Sequence, residues 1–238
     1  MNVTDKEKYL IIGGNGAYDG DFESVADEMI SLTGKKEPTF LFIGFAQLEP
    51  HHGFEYYGTL FAKKGCGCSL LTMEDIRRFY PAKPKLEKAD MIFIMGGNTG
   101  KLLSILRKYR IDGLLREAAL RGAVLAGLSA GAICLCAGGA SKNEDYVYET
   151  GLGFVDLICC PHPVEDGPRF AFFKKELAKF PEGTKGIASD GAAFEIAGGK
   201  YRSFDFCPGG STCRICEYEN GVFIETPVSG EYRPLSEI

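Results

Sequence analysis

The sequence predicts an α/β protein: a mostly parallel sheet with helices on both faces. Three observations carry that prediction. Long apolar runs alternate with segments of helical period, the pattern of βα units. The longest runs, Lys8 to Gly14, Thr39 to Phe45, Asp90 to Met95 and Gly122 to Leu128, read as buried strands. Several of them end in glycine or a small residue, where a chain leaving a strand turns into a helix.

Each element follows in order. Lys8 to Gly14 (KYLIIGG) is the first strand, and Phe22 to Leu32 places Val25, Met29 and Leu32 on one helical face. Thr39 to Phe45 is the second strand. Phe54 to Lys64 reads as a helix and Gly67 to Leu71 as a short strand. Asp90 to Met95 runs into Gly96-Gly97-Asn98-Thr99, with helices at Gly100 to Tyr109 and Asp112 to Arg121. Gly122 to Leu128 ends on Ser129, and Ala130 to Cys136 opens another helix. The remainder is richer in strands: Leu157 to Cys160, Gly186 to Ser189, Ala192 to Ala197 and Tyr201 to Phe206, interrupted by a helix at Arg169 to Phe180. No internal repeat, low-complexity tract or linker divides residues 1–238, so one domain is expected.

Composition narrows the function. The 238 residues are 45% hydrophobic and 25% charged, ordinary values for a globular protein. A net charge of -5 argues against a nucleic-acid partner, which would want a basic stripe. The N-terminus is charged and lacks a signal-peptide pattern, and no run approaches the about 18 apolar residues of a membrane span. A cytoplasmic protein without membrane contact is expected. Nine cysteines would then be reduced thiols, and most lie in apolar runs that suit core packing. Cys213-Arg214-Ile215-Cys216 is a CxxC, with Cys207 as a third candidate ligand and no convincing fourth, so no metal or cofactor is expected.

The chemistry concentrates at Gly127-Leu128-Ser129-Ala130-Gly131, a G-x-S-x-G. A serine on a sharp strand-to-helix turn is held strained with its Oγ exposed, while the helix start behind it offers unpaired N–H groups to an oxyanion. The bland alternative is a capping serine in a tight turn. The apolar strand before it and the helix-compatible run after it favour a nucleophile. Of the three histidines, His162 in Cys159-Cys160-Pro161-His162-Pro163 follows a strand, where α/β proteins build their sites. His51 and His52 lie in an expected loop and are weaker candidates for a base. Gly96-Gly97-Asn98-Thr99-Gly100 could supply a second oxyanion N–H or position substrate backbone. Gly13-Gly14-Asn15-Gly16 also follows a strand but does not spell a dinucleotide fingerprint.

Taken together, Ile92 to Thr99, Gly127 to Ala132, Pro161-His162 and Ser189-Asp190-Gly191-Ala192-Ala193 resemble the peptidase E family, serine peptidases related to cyanophycinase. The stretches stand in family order and span most of the chain after about residue 90. The resemblance implies a class I glutamine amidotransferase-like sheet, a Ser-His-acid triad acting through an acyl-enzyme, and short peptide substrates, dipeptides with N-terminal aspartate foremost. By motif it makes Ser129 the nucleophile, His162 the general base, and the N–H groups of Gly97 and Ala130 the oxyanion hole. It would place Asn98 and Thr99 at the substrate. The acid departs from the pattern: Lys142 stands where a gapless count puts it in one branch, and Glu144 is the first choice, with Asp145 and Asp190 as alternatives. Arg169 is the candidate cation for an acidic substrate, because a guanidinium pairs bidentately with a carboxylate. A homodimer is left open.

Two other readings compete. One is a family member whose triad has decayed into a binding protein. The other is a different serine hydrolase or esterase on the same scaffold.

Overall fold

The computed structural model describes residues 3–14, 22–78, 82–207 and 211–238. Its elements in chain order are β1 (Lys8–Ile12), α1 (Phe22–Thr33), β2 (Thr39–Ile43), α2 (Pro50–Lys63), β3 (Gly67–Leu70), α3 (Met73–Arg78) and α4 (Ala82–Lys88). Then come β4 (Met91–Ile94), α5 (Thr99–Lys108), α6 (Ile111–Leu120), β5 (Val124–Leu128), α7 (Ala130–Leu135), β6 (Cys136–Lys142), β7 (Tyr146–Thr150) and β8 (Val155–Pro161). The last are α8 (Pro168–Leu177), β9 (Gly186–Asp190), β10 (Ala192–Ala197), β11 (Lys200–Asp205), β12 (Thr212–Glu219), β13 (Val222–Pro227) and β14 (Arg233–Pro234).

The α/β class holds. The strands form two sheets. The larger runs β14-β11-β10-β1-β5-β4-β2-β3, and its β1, β5, β4, β2 and β3 are parallel. Helices cover both faces. On one face α1 and α2 pack Phe22, Val25, Met29, Tyr57 and Phe61 against Phe40, Phe42 and Phe93. On the other, α5 and α6 bring Leu102, Leu106, Leu114 and Leu115 against Leu41, Ile92 and Leu125. A parallel sheet buried on both sides needs apolar side chains at successive positions, which is why these strands read as unbroken runs. Phe40 stacks on Phe61 at 3.9 Å between ring centroids, and each such fully buried side chain contributes about 1.5–3 kcal/mol by leaving water.

A second sheet, β13-β12-β9-β8-β6-β7, departs from the sequence reading. The expected helix from Ala130 stops at Leu135, and Cys136 is already extended, at φ -77° and ψ 176°. The chain then forms β6, whose glycines allow close approach. A side chain at Gly138 would collide with the Tyr148 hydroxyl, and one at Gly139 with the Cys159 carbonyl. Helix α8 packs Phe170, Phe173 and Leu177 onto this sheet. Residues 213 and 216, three apart in β12, fall on opposite faces: Cys213 joins the larger core and Cys216 the core beneath α8. The CxxC spacing therefore does not bring its two thiols together, and burial pushes the Cys216 thiol up to about 12.

The two sheets meet where it matters. Gly14 bridges Asp190 in parallel register, and the Gly191 N–H donates to the Gly14 carbonyl at 3.1 Å. This joins the end of β1 to the end of β9, one step from the end of β5. Asn15 and Gly16 of the first glycine turn lie outside the described residues. Among the described residues, no helix is long and apolar enough to cross a membrane.

Candidate active site

β5 lies at the centre of the large sheet between β1 and β4, and every one of its residues is buried. Ser129 leaves it at φ 53° and ψ -103°. A non-glycine residue in such a region costs on the order of 1–3 kcal/mol and must be held there by its surroundings. Those surroundings are backbone. The Ser129 N–H donates to the Ile12 carbonyl at 3.1 Å, and its carbonyl accepts from the Ile133 N–H at 3.0 Å. The two glycines of the pentapeptide make room for the turn. A Cβ on Gly127 would stand 2.3 Å from the Gly131 carbonyl oxygen, and one on Gly131 would stand 2.0 Å from that of Ile94. The strained strand-to-helix turn expected from the pentapeptide is present, with Ser129 at its apex.

The loop after β4 closes over it. Gly96 approaches so near that a Cβ there would lie 3.1 Å from the Ser129 Cβ. Gly97 sits at φ 138°, where a side chain would strike the Ala46 carbonyl, and the Asn98 N–H donates to that same carbonyl at 2.9 Å. Among the described residues, no backbone acceptor takes the N–H of Gly97 or of Ala130. Two free N–H groups flanking a serine can bind the oxygen of a tetrahedral intermediate.

His162 follows β8 at φ 54°. Its Nε2 lies 3.0 Å from Ser129 Oγ, and its Nδ1 lies 4.0 Å from Asp190 Oδ1 at the end of β9. The ring rests on Gly14, where a Cβ would fall 1.3 Å from Cε1 and 1.6 Å from Nδ1. Only glycine at position 14 admits the imidazole here. Burial, and then the nearby Arg169 charge, hold His162 below its ordinary value, while Asp190 pulls it back up. The neutral imidazole, the form that can accept the serine proton, is thereby favoured.

Of the other expected residues, Glu144 and Asp145 do not reach this point, and Asn98, Thr99 and Arg169 are engaged in contacts of their own. Glu144 and Asp145 are exposed in the turn between β6 and β7, because Lys142 pairs with Tyr146 and puts residues 143–145 at a hairpin tip. The carboxylate facing Nδ1 belongs to Asp190 instead. Asn98 spends its side chain capping α5, accepting from the Lys101 N–H at 2.8 Å. Thr99 is buried, its Oγ1 accepting from Ser141 Oγ at 2.9 Å. Arg169 donates from Nη1 to the Pro161 carbonyl at 3.0 Å and lies over the Tyr146 ring. His51 and His52 are exposed on α2, His52 beside Glu49 at 3.1 Å. Gly14 is the position beside the candidate site that sequence reasoning passed over. Its signal was a glycine just past a buried strand, and only the partner packed on it reveals its purpose.

Comparisons with known proteins give the family and the fold. The model of Peptidase family S51 matches residues 9–204. The protein called "Uncharacterized peptidase YgaJ" from Bacillus subtilis (strain 168) is 28% identical over 162 residues, covering 66% of this chain and 68% of its own. Two crystal structures share the fold. One is a peptidase from an acI-B1 Actinobacterium, with a TM-score of 0.68 at 18% identity over 97% of this chain and 98% of that one. The other, from Listeria monocytogenes EGD-e, is assigned by its description to peptidase E, with a TM-score of 0.57 at 20% identity over 84% of this chain and 99% of that one. With a family model matching residues 9–204, most of its length, the chain belongs to Peptidase family S51.

Proposed function

We propose that this peptidase works by a serine mechanism, with Ser129 as nucleophile, His162 as general base and Asp190 as the acid that orients it. The observation that carries the reading is the 3.0 Å approach of His162 Nε2 to Ser129 Oγ at a serine of positive φ. Oγ attacks the scissile carbonyl carbon as Nε2 takes its proton. The carbonyl oxygen gains the charge and is held by the N–H groups of Gly97 and Ala130. The intermediate collapses with breakage of the C–N bond. Imidazolium gives its proton to the leaving amine, and an ester on Ser129 remains. Water then attacks that ester with His162 again as base, releasing the acid and restoring the serine. The 4.0 Å gap between Nδ1 and Asp190 is longer than a hydrogen bond, and catalytic contacts commonly tighten only with substrate in place.

The substrates proposed are short peptides, dipeptides with N-terminal aspartate foremost. That specificity rests on family resemblance, since Arg169 is engaged with Pro161 and Tyr146. The test is hydrolysis of a dipeptide library by the native protein and by Ser129→Ala. Preferred cleavage of Asp-Xaa over Ala-Xaa supports the full reading. Equal cleavage of both removes the acidic specificity alone, and full activity in Ser129→Ala removes the serine mechanism.

A further inference from the structure

The segment that carries His162 is poor in backbone donors. Pro161 and Pro163 flank the histidine and neither has an N–H. The His162 carbonyl is taken by the Val164 N–H at 3.0 Å. The Pro161 carbonyl is taken by a side chain, Nη1 of Arg169 at 3.0 Å, reaching back from the first turn of α8. The guanidinium also faces the Tyr146 ring, 5.9 Å from its centroid, which ties the arginine to β7. Further along the loop Glu165 pairs with Arg214 of β12 at 3.1 Å. A non-glycine residue at φ 54° needs such support to stay where it is.

We propose that Arg169 is a positioning residue for His162, anchoring the carbonyl just before it and keeping a fixed positive charge near the imidazole. This replaces its expected role as receptor for an acidic substrate. Two effects follow from one side chain. The hydrogen bond to Pro161 holds the backbone that aims Nε2 at Ser129. The charge disfavours a second positive charge on the ring. Among the described residues, the groups acting on that ring are Asp190 from β9, Ser129 from the turn before α7, and Arg169 from α8. Burial lowers the proton affinity of His162 most; the Arg169 charge adds to that and Asp190 opposes both. Lysine could supply the charge but neither the planar face toward Tyr146 nor the fork geometry.

The inference rests on the reading of Ser129 and His162 given above, and its test separates the two. Only three histidines are present, so His162 can be followed by NMR titration without any substrate. In Arg169→Met the imidazole should titrate at higher pH than in the native protein. The acid limb of kcat/KM should move up with it, and kcat on the alkaline plateau should fall about 10- to 100-fold from misalignment. KM should change alike for Asp-Xaa and Ala-Xaa dipeptides. Arg169→Lys should titrate close to the native protein yet lose plateau kcat, and circular dichroism of both variants checks that they are folded. An unchanged His162 titration with unchanged kcat, joined to a rise in KM for Asp-Xaa only, would overturn the proposal and return Arg169 to the substrate. A native protein that cleaves no peptide but shows the Arg169-dependent titration would overturn the peptidase reading and leave the positioning role standing.

Discussion

Ser129 and His162 share an unusual feature, a non-glycine residue at φ 53° and 54°, and they are held there by opposite means. Ser129 is fixed by its own neighbourhood: the glycines at 127 and 131, the Ile12 and Ile133 hydrogen bonds, and the strand behind it. His162 is fixed from a distance. Its ring lies on Gly14, its Nδ1 faces Asp190, and its flanking carbonyl is held by Arg169. The proposed nucleophile thus sits in a glycine-framed turn held by backbone hydrogen bonds, whereas the proposed base is held by side chains of β9 and α8 and by the end of β1. Damage to the first should stop the chemistry outright. Damage to the second should weaken it in steps that differ by contact.

The variants sharpen that contrast in order of size. Ser129→Ala should lose on the order of 10⁶ in kcat, as loss of a triad serine does elsewhere, while its melting temperature stays near native. Asp190→Asn should lose about 10⁴, the penalty of neutralising a triad acid. Since the Asp190 charge raises His162, this variant should also move the acid limb of the pH–rate profile downward. Gly14→Ala drives a methyl group into the imidazole. A displacement of about 1 Å should cost roughly 100-fold in kcat, with labelling of the fold-intact protein by a serine-reactive phosphonate slowed in proportion. In the native protein the acid limb should lie below the ordinary histidine value, because burial and Arg169 disfavour the imidazolium. Glu144→Gln should be the smallest change, within roughly twofold, because surface substitutions shift energies by about 0.5 kcal/mol or less. A loss at Glu144 as deep as at Asp190 would break the distinction.

What could be read from the sequence follows the same division. β1, β2, β4 and β5 are buried on both faces and announce themselves as apolar runs, and the nucleophile turn is a contiguous motif. β7 (YVYET) and β12 (TCRICEYE) are partly exposed, so polar residues interrupt them and they carry no such signal. Of the second sheet, only the buried strands β8 and β9 are legible as apolar runs for that reason. The helix expected beyond Leu135 was extended too far because Cys134-Leu135-Cys136-Ala137 is apolar throughout and its period is ambiguous. The carboxylate facing His162 carries the weakest local signal. Asp190 lies 28 positions beyond His162, and its partner Gly14 lies near the other end of the chain. The family resemblance pointed to Glu144, but the pairing of β6 with β7 puts that residue at a hairpin tip in solvent.

The central claim is that a strained Ser129 is activated by His162. Reaction of the native protein with a fluorophosphonate, followed by peptide mapping, tests it most directly. The account predicts one adduct per chain, on Ser129, formed at a rate that rises with pH as His162 loses its proton and falls sharply in His162→Gln. No adduct, an adduct on another residue, or a rate indifferent to His162 would contradict it.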